Sequence, residues 1–176
     1  MVKPKQINMK QIVTPVVTLC LIMGTTLSSI SQTNKTKTME TVAKKSSKEV
    51  VQGFFTAFGN GNFDGVVNAF HDSCTIIAVR DTQRNGNQIY GTYKGKEGVK
   101  TFLSNLGNTF ETKSFSVDNI IEENNVSFAN GKFTHIVKST GKSFSSDWAL
   151  MCVIKDDKIL EYRFFEDSEK FSASNR

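Results

Sequence analysis

Histidine is scarce in this chain of 176 residues, with two side chains, and cysteine little more abundant, with three. Neither type clusters, and no Cys-x-x-Cys pair occurs, so the spacing of a zinc site is missing and no metal is expected. No block of Lys and Arg is interleaved with aromatic residues, which removes the usual footprint of a nucleic-acid partner. The apolar run from Ile12 to Met23 is broken by Thr14, Pro15 and Thr18. It falls short of the roughly 20 residues a membrane span needs. There are no internal repeats.

What is present begins with Lys3, Lys5 and Lys10, then that apolar run, then Thr25, Thr26, Ser28, Ser29 and Ser31. A basic start, a short apolar core and a small-residue exit describe a secretory signal peptide over residues 1–31. Leu19 precedes Cys20 where lipid attachment would want a small residue. An exported protein, periplasmic or secreted once the leader is removed, is therefore expected, with no membrane contact beyond the leader; a leader kept uncleaved as an anchor is the other reading. Without the three leader lysines the count is 19 basic against 17 acidic residues, so the basic charge belongs largely to the leader. Residues 32–45 are polar and aperiodic and read as a flexible lead-in. Residues 46–170 then form one domain with one core, and 171–176 read as a flexible tail. Cys74 and Cys152 sit in apolar strand-like runs and are expected as small buried hydrophobes.

Ser46 with Glu49 predicts a capping box, and Val50, Val51, Phe54, Phe55 and Phe58 recur at helical spacing. Gly59, Asn60 and Gly61 stop that helix. Asn62 caps a second, with Phe63, Val66, Val67 and Phe70 on its inner face. A strand follows from Cys74 to Arg80, a short one from Ile89 to Tyr93, and a third helix from Gly95 to about Leu106. Long strands are predicted over Lys113–Glu123, Val126–Ser139, Ser143–Lys155 and Lys158–Glu166, separated by turn signals, with a bulge as the other reading of Asn130-Gly131. Helices followed by antiparallel strands give an α+β fold: a curved sheet, mixed or antiparallel, wrapped around three helices to form a conical pocket, as in a cystatin-like α+β barrel.

Three stretches carry a family likeness: Val50–Ile76, the run from Tyr90 to Gly98, and the end from Asp147 to Asp167. In this order they resemble a SnoaL-like or ketosteroid isomerase-like domain of the nuclear transport factor 2-like superfamily. The resemblance implies a pocket, and frequently a homodimer. It also implies, for a ketosteroid isomerase, a tyrosine, an aspartate base and a second acid. Those positions align here with Phe54, Ala78 and Ala149, none of which can exchange a proton. Steroid isomerisation by that route is not expected. Relatives with epoxide hydrolase activity carry an aspartate two residues after the aromatic at Tyr162, where this chain has Phe164.

The candidate chemistry left is His135 with Asp147. A three-residue loop, Thr140-Gly141-Lys142, would set these two opposite each other on neighbouring strands, within imidazole–carboxylate reach. Such a dyad would serve a cofactor-independent lyase, isomerase or hydrolase of polyketide-cyclase type; in a binding protein the two would satisfy each other. Phe54, Phe58, Ile76, Ala78, Tyr90, Phe133, Val137, Ala149 and Met151 are the expected lining. Arg80 stands near the mouth, or as an exposed strand end, Tyr90 and Tyr93 flank the short edge strand, and Trp148 is expected against the first or second helix or at a subunit interface. A small apolar or aromatic ligand, bound without turnover, is the first functional reading; the enzyme and a module serving mainly to pair two copies of the chain are the others.

Overall fold

The computed structural model describes residues 44–176. The leader expected over 1–31 and all but the last residues of the lead-in lie outside the described residues. Helix α1 spans Ser47–Gly59, opened by the capping box between Ser46 and Glu49. Its buried face, Val50, Val51 and Phe54, follows the three- and four-residue spacing of the sequence. Gly61, at a φ of 64°, turns the chain, and Asn62 accepts from the Gly65 backbone to start α2, Phe63–Asn68. Strand β1, Phe70–Ala78, precedes β2, Gly91–Lys94, and helix α3, Gly95–Thr109. Then come β3, Phe110–Glu123, β4, Val126–Val137, β5, Ser143–Lys155, and β6, Lys158–Glu166.

The six strands form one curved sheet in the order β2-β1-β6-β5-β4-β3. Only the β1–β6 pair is parallel; the other four pairs are antiparallel. The sheet is mixed because β1 is separated from β6 by α3 and the β3–β5 meander, a connection long enough to return in the same direction. The helices lie against the concave face, and the core fills the space between.

Two turns decide which side chains face inward. Asp156 and Asp157 both take positive φ in the two-residue link of β5 to β6, as a primed hairpin turn requires. The β4–β5 link is a four-residue turn, Lys138 to Gly141. Gly141 has a φ of 70°, and its N–H and that of Thr140 both donate to the Val137 carbonyl. The three-residue loop expected from Thr140-Gly141-Lys142 is therefore not formed. A change from an odd to an even loop slips the register by an odd number and turns every residue of β5 to the other face. Phe144, Ser146, Trp148, Leu150 and Cys152 point inward, while Asp147 and Ala149 are exposed and Met151 faces outward, half-buried.

Asn130-Gly131 lies within an unbroken β4, and the irregularity sits opposite it, around Asp118 of β3. A Cβ at Gly131 would fall 1.9 Å from the Ser116 carbonyl oxygen and 2.8 Å from the Trp148 ring. Residues 171–174, within the expected tail, belong to a short helix, α4, Ser168–Ser174, capped by Asp167. Phe171 is buried against Tyr90, Phe110 and Phe144. Thr140 Oγ1, from the β4–β5 turn, and Lys142 Nζ, just after it, donate to the Ser174 and Arg176 carbonyls and hold the helix in place. Cys74 and Cys152 are buried free thiols.

Candidate functional site

Between the concave face of the sheet and helices α1 to α3 lies a cavity of about 280 Å³. Helix α1 contributes Phe54, Phe55 and Phe58, α3 contributes Phe102, Leu103 and Leu106, and the strands add Phe110, Phe115, Phe133, Tyr162 and Phe164. Aromatic spacing on α1 and period-two alternation on β4 and β6 aim these rings at one volume. They hold one another: Phe54 contacts Phe70 and Tyr162 edge to face, at 5.7 Å between centroids in both cases. Trp148 lies behind the wall, stacked between Phe115 and Phe164 and touching Phe55 of α1.

His135 is one polar group in this lining. Its ring stacks on Phe133 at 4.2 Å and on Phe110 at 4.9 Å. Nδ1 is buried and has no hydrogen-bond partner among the described residues. Burial alone pushes its pKa down to about 4, so the imidazole is neutral at pH 7. It can offer or accept a hydrogen bond, but it is a poor base.

The expected partner is absent. Asp147 lies opposite Lys132 in the β4–β5 ladder, while His135 faces Phe144. Asp147 Oδ1 is 3.0 Å from Lys132 Nζ on the exposed side of the sheet. The His135/Asp147 dyad is not formed. For the same reason Ala149 and Met151 do not line the cavity. The inward neighbours of Ala149 are Trp148 and Leu150, so β5 presents no acid there either. Phe54, Phe58, Ala78, Tyr90, Phe133 and His135 do line it, whereas Ile76 and Val137 are buried in the surrounding core. Arg80 leaves the line of Ala78 because Val79 adopts a φ of 63°. Its guanidinium lies 5.6 Å from the centre of the Tyr90 ring. Tyr93 is buried beside the cavity but outside its lining, edge to face with Phe102, its hydroxyl donating to the Ile89 carbonyl at 2.7 Å. His71 is engaged with Ser73 at Nδ1.

The second polar group is Glu166, the last residue of β6. The Tyr90 hydroxyl donates to Glu166 Oε1 at 2.5 Å, and both residues line the cavity. Burial pushes the Glu166 carboxyl up to about 7, against the Tyr90 hydrogen bond, which lowers it; the neighbouring Asp167 raises it further. The Tyr90 phenol is driven well above its ordinary value by burial and by the Glu166 charge, so it stays protonated. The alternation Tyr162, Phe164, Glu166 carried the signal in the sequence, since the first two share a face with the third.

Residues 51–162 match the SnoaL-like domain family. The chain belongs to that family. Solved structures agree on the fold. A nuclear transport factor 2-like protein from Burkholderia xenovorans superposes with a TM-score of 0.65 at 18% identity, over 76% of this chain and 100% of that one. One from Burkholderia thailandensis gives 0.67 at 16%, over 75% and 98%. A protein of Mesorhizobium loti, provisionally named a SnoaL-like polyketide cyclase, gives 0.58 at 19%, over 69% and 99%. At these identities the likeness carries the fold alone. No curated protein matches the sequence.

Proposed function

We propose that this SnoaL-like domain binds a compact, largely apolar or aromatic molecule in its cavity, without the proton-handling groups of a ketosteroid isomerase. The observation that carries the reading is the cavity itself: about 280 Å³ left open among phenyl rings that could otherwise have closed on it. That volume is just below the roughly 300–1,000 Å³ of pockets for drug-sized ligands, which fits a smaller guest. His135, Thr112, Tyr162 and the Tyr90–Glu166 pair supply polar groups in a mostly apolar wall. Phe54 and Ala78, at two of the positions where the isomerases need a phenol and a base, support binding over steroid isomerisation. The basic and apolar pattern of residues 3–31 supports export of the domain. Thermal-shift screening of the full chain against compact aromatic compounds tests the reading. A ligand at a hundred times its Kd should add about 2.7 kcal/mol of stability, and a panel with no response would sink it.

A second reading is a cofactor-independent enzyme of cyclase type, in keeping with the name given to the Mesorhizobium loti protein. The dyad it needed has gone, but Glu166 supports it, since a carboxyl pushed up to about 7 is suited to both taking and giving a proton. Glu166→Gln separates the two readings: an enzyme loses orders of magnitude in rate, while a binder keeps an uncharged ligand. A third reading, pairing of two copies, draws on Ile121, Phe128 and Phe165, which are exposed on the outer face of the sheet, and sedimentation of the full chain tests it.

A further inference from the structure

We propose that the Tyr90–Glu166 corner is the docking point for a protonated amine borne on a small aromatic body, an assignment that rests on the ligand-binding reading above. The charge of the lining argues it first. Glu166 is the one acid among the residues around the cavity, and no Lys or Arg is there to meet it. Among the described residues the carboxyl takes part in no ion pair, and its hydrogen bond comes from Tyr90. Arg80, a cation near this corner, is exposed and sits over the Tyr90 ring.

A carboxylate enclosed by hydrocarbon and left without a counter-charge is unfavourable. An ammonium entering the cavity would supply that charge and share the acceptor oxygens with Tyr90. The rest of the wall suits the same guest, because it is built largely of aromatic rings, Phe54, Phe102, Phe110 and Phe164 among them, and the faces of such rings attract cations. Among the described residues no three His, Cys, Asp or Glu side chains gather, so an organic cation fits better than a metal ion. Elsewhere in the lining, His135 offers a buried ring nitrogen without a partner among the described residues, and a hydroxyl or carbonyl on the guest would satisfy it.

The raised carboxyl pKa follows from the same geometry, since burial disfavours the charged form by more than the Tyr90 hydrogen bond favours it. The groups that bear on it are Tyr90 from the segment before β2, Tyr162 on its own strand, and Asp167 beside it. Asp167 is turned to Lys170, at 3.3 Å. The elements packed opposite offer Trp148 from β5 and Phe171 from α4, both uncharged. An arriving ammonium would lower the Glu166 pKa, so binding near pH 7 should release a proton.

Calorimetry on the full chain decides the matter with three probes of one shape: phenethylamine, phenethyl alcohol and hydrocinnamate. At about pH 8 the amine should bind at least about tenfold more tightly than the alcohol, as one charge-assisted contact allows, and hydrocinnamate should bind most weakly. In Glu166→Gln the amine and alcohol should agree within about twofold. Should that variant not fold, the wild type suffices: the preference must shrink between about pH 8 and 5.5 as the carboxyl gains its proton. Equal binding of amine and alcohol, a preference for hydrocinnamate, or a preference indifferent to pH overturns the amine assignment and leaves the cavity a ligand site. If none of the three binds, both readings fall.

Discussion

The Tyr90 hydroxyl donates to Glu166 Oε1 at 2.5 Å and joins the segment before β2 to the last residue of β6 inside an apolar cavity. That bond favours the carboxylate, and burial disfavours it by more, so the folded-state pKa is about 7 against an ordinary 4.5. Between these values the folded protein holds a proton that the unfolded chain has released. Stability therefore falls as pH rises through that window, by up to about 3 kcal/mol. Glu166→Gln should raise the melting temperature at pH 8 and lose that advantage below pH 4.5.

His135 gives the opposite trend. Its pKa is about 4 when folded against an ordinary 6.5, so the unfolded chain takes up a proton first as pH falls. The stability present above 6.5 is lost on descending towards 4, again by up to about 3 kcal/mol. The two windows overlap and the slopes offset. Denaturant titrations should find a flat wild-type profile there, a rising one with pH in Glu166→Gln, and a falling one in His135→Leu.

Gly131→Ala should be among the most damaging single changes. Its new methyl would overlap the Ser116 carbonyl oxygen, 1.9 Å away, in a backbone contact that cannot swing aside. A loss of more than about 2 kcal/mol is expected in urea unfolding. A value near zero would show that β3 shifts freely around its irregularity at Asp118.

Phe54→Ala removes a ring, 4% exposed, that touches Phe55, Phe58, Phe70 and Tyr162. Because it also borders the cavity, the void merges with existing space and does not collapse. The cost should be about 3–5 kcal/mol, measured as a lowered midpoint of unfolding, with an enlarged cavity that admits bulkier ligands.

Asp147→Ala is the negative control. The carboxylate meets Lys132 in solvent on the face remote from the cavity. Melting temperature and ligand affinity should both stay at the wild-type values, whereas a dyad role for Asp147 would have required both to change.

The helices were legible because capping and period are local. Ser46 and Glu49 close on each other within one turn, and Phe54 and Phe58 follow from spacing. The strands were legible too, and β5 has the same limits in sequence and structure, Ser143–Lys155. Its facing was not. The hydrophobic pattern of β5, with Trp148, Ala149, Leu150 and Met151 in succession, gives no clean alternation to reveal the buried side. Loop length had to settle it, and one residue more or less inverts the answer. Glu166 was passed over for a similar reason. A carboxylate closing a strand reads as a solvated end, and α4, which encloses that end with Phe171, lies in a segment that reads as a tail.

The sequence alone settled the family, the order of helices and strands, and the aromatic character of the interior, since each depends on neighbours within a few residues. Tertiary structure decided which charged groups share that interior. Register between β4 and β5, set by the four-residue turn at Gly141, sent Asp147 out to Lys132. Packing of α4 and the Tyr90 segment at the end of β6 shielded much of Glu166 from water. Side-chain ionisation inside a fold depends on what encloses the group, and that enclosure is built from segments far apart along the chain.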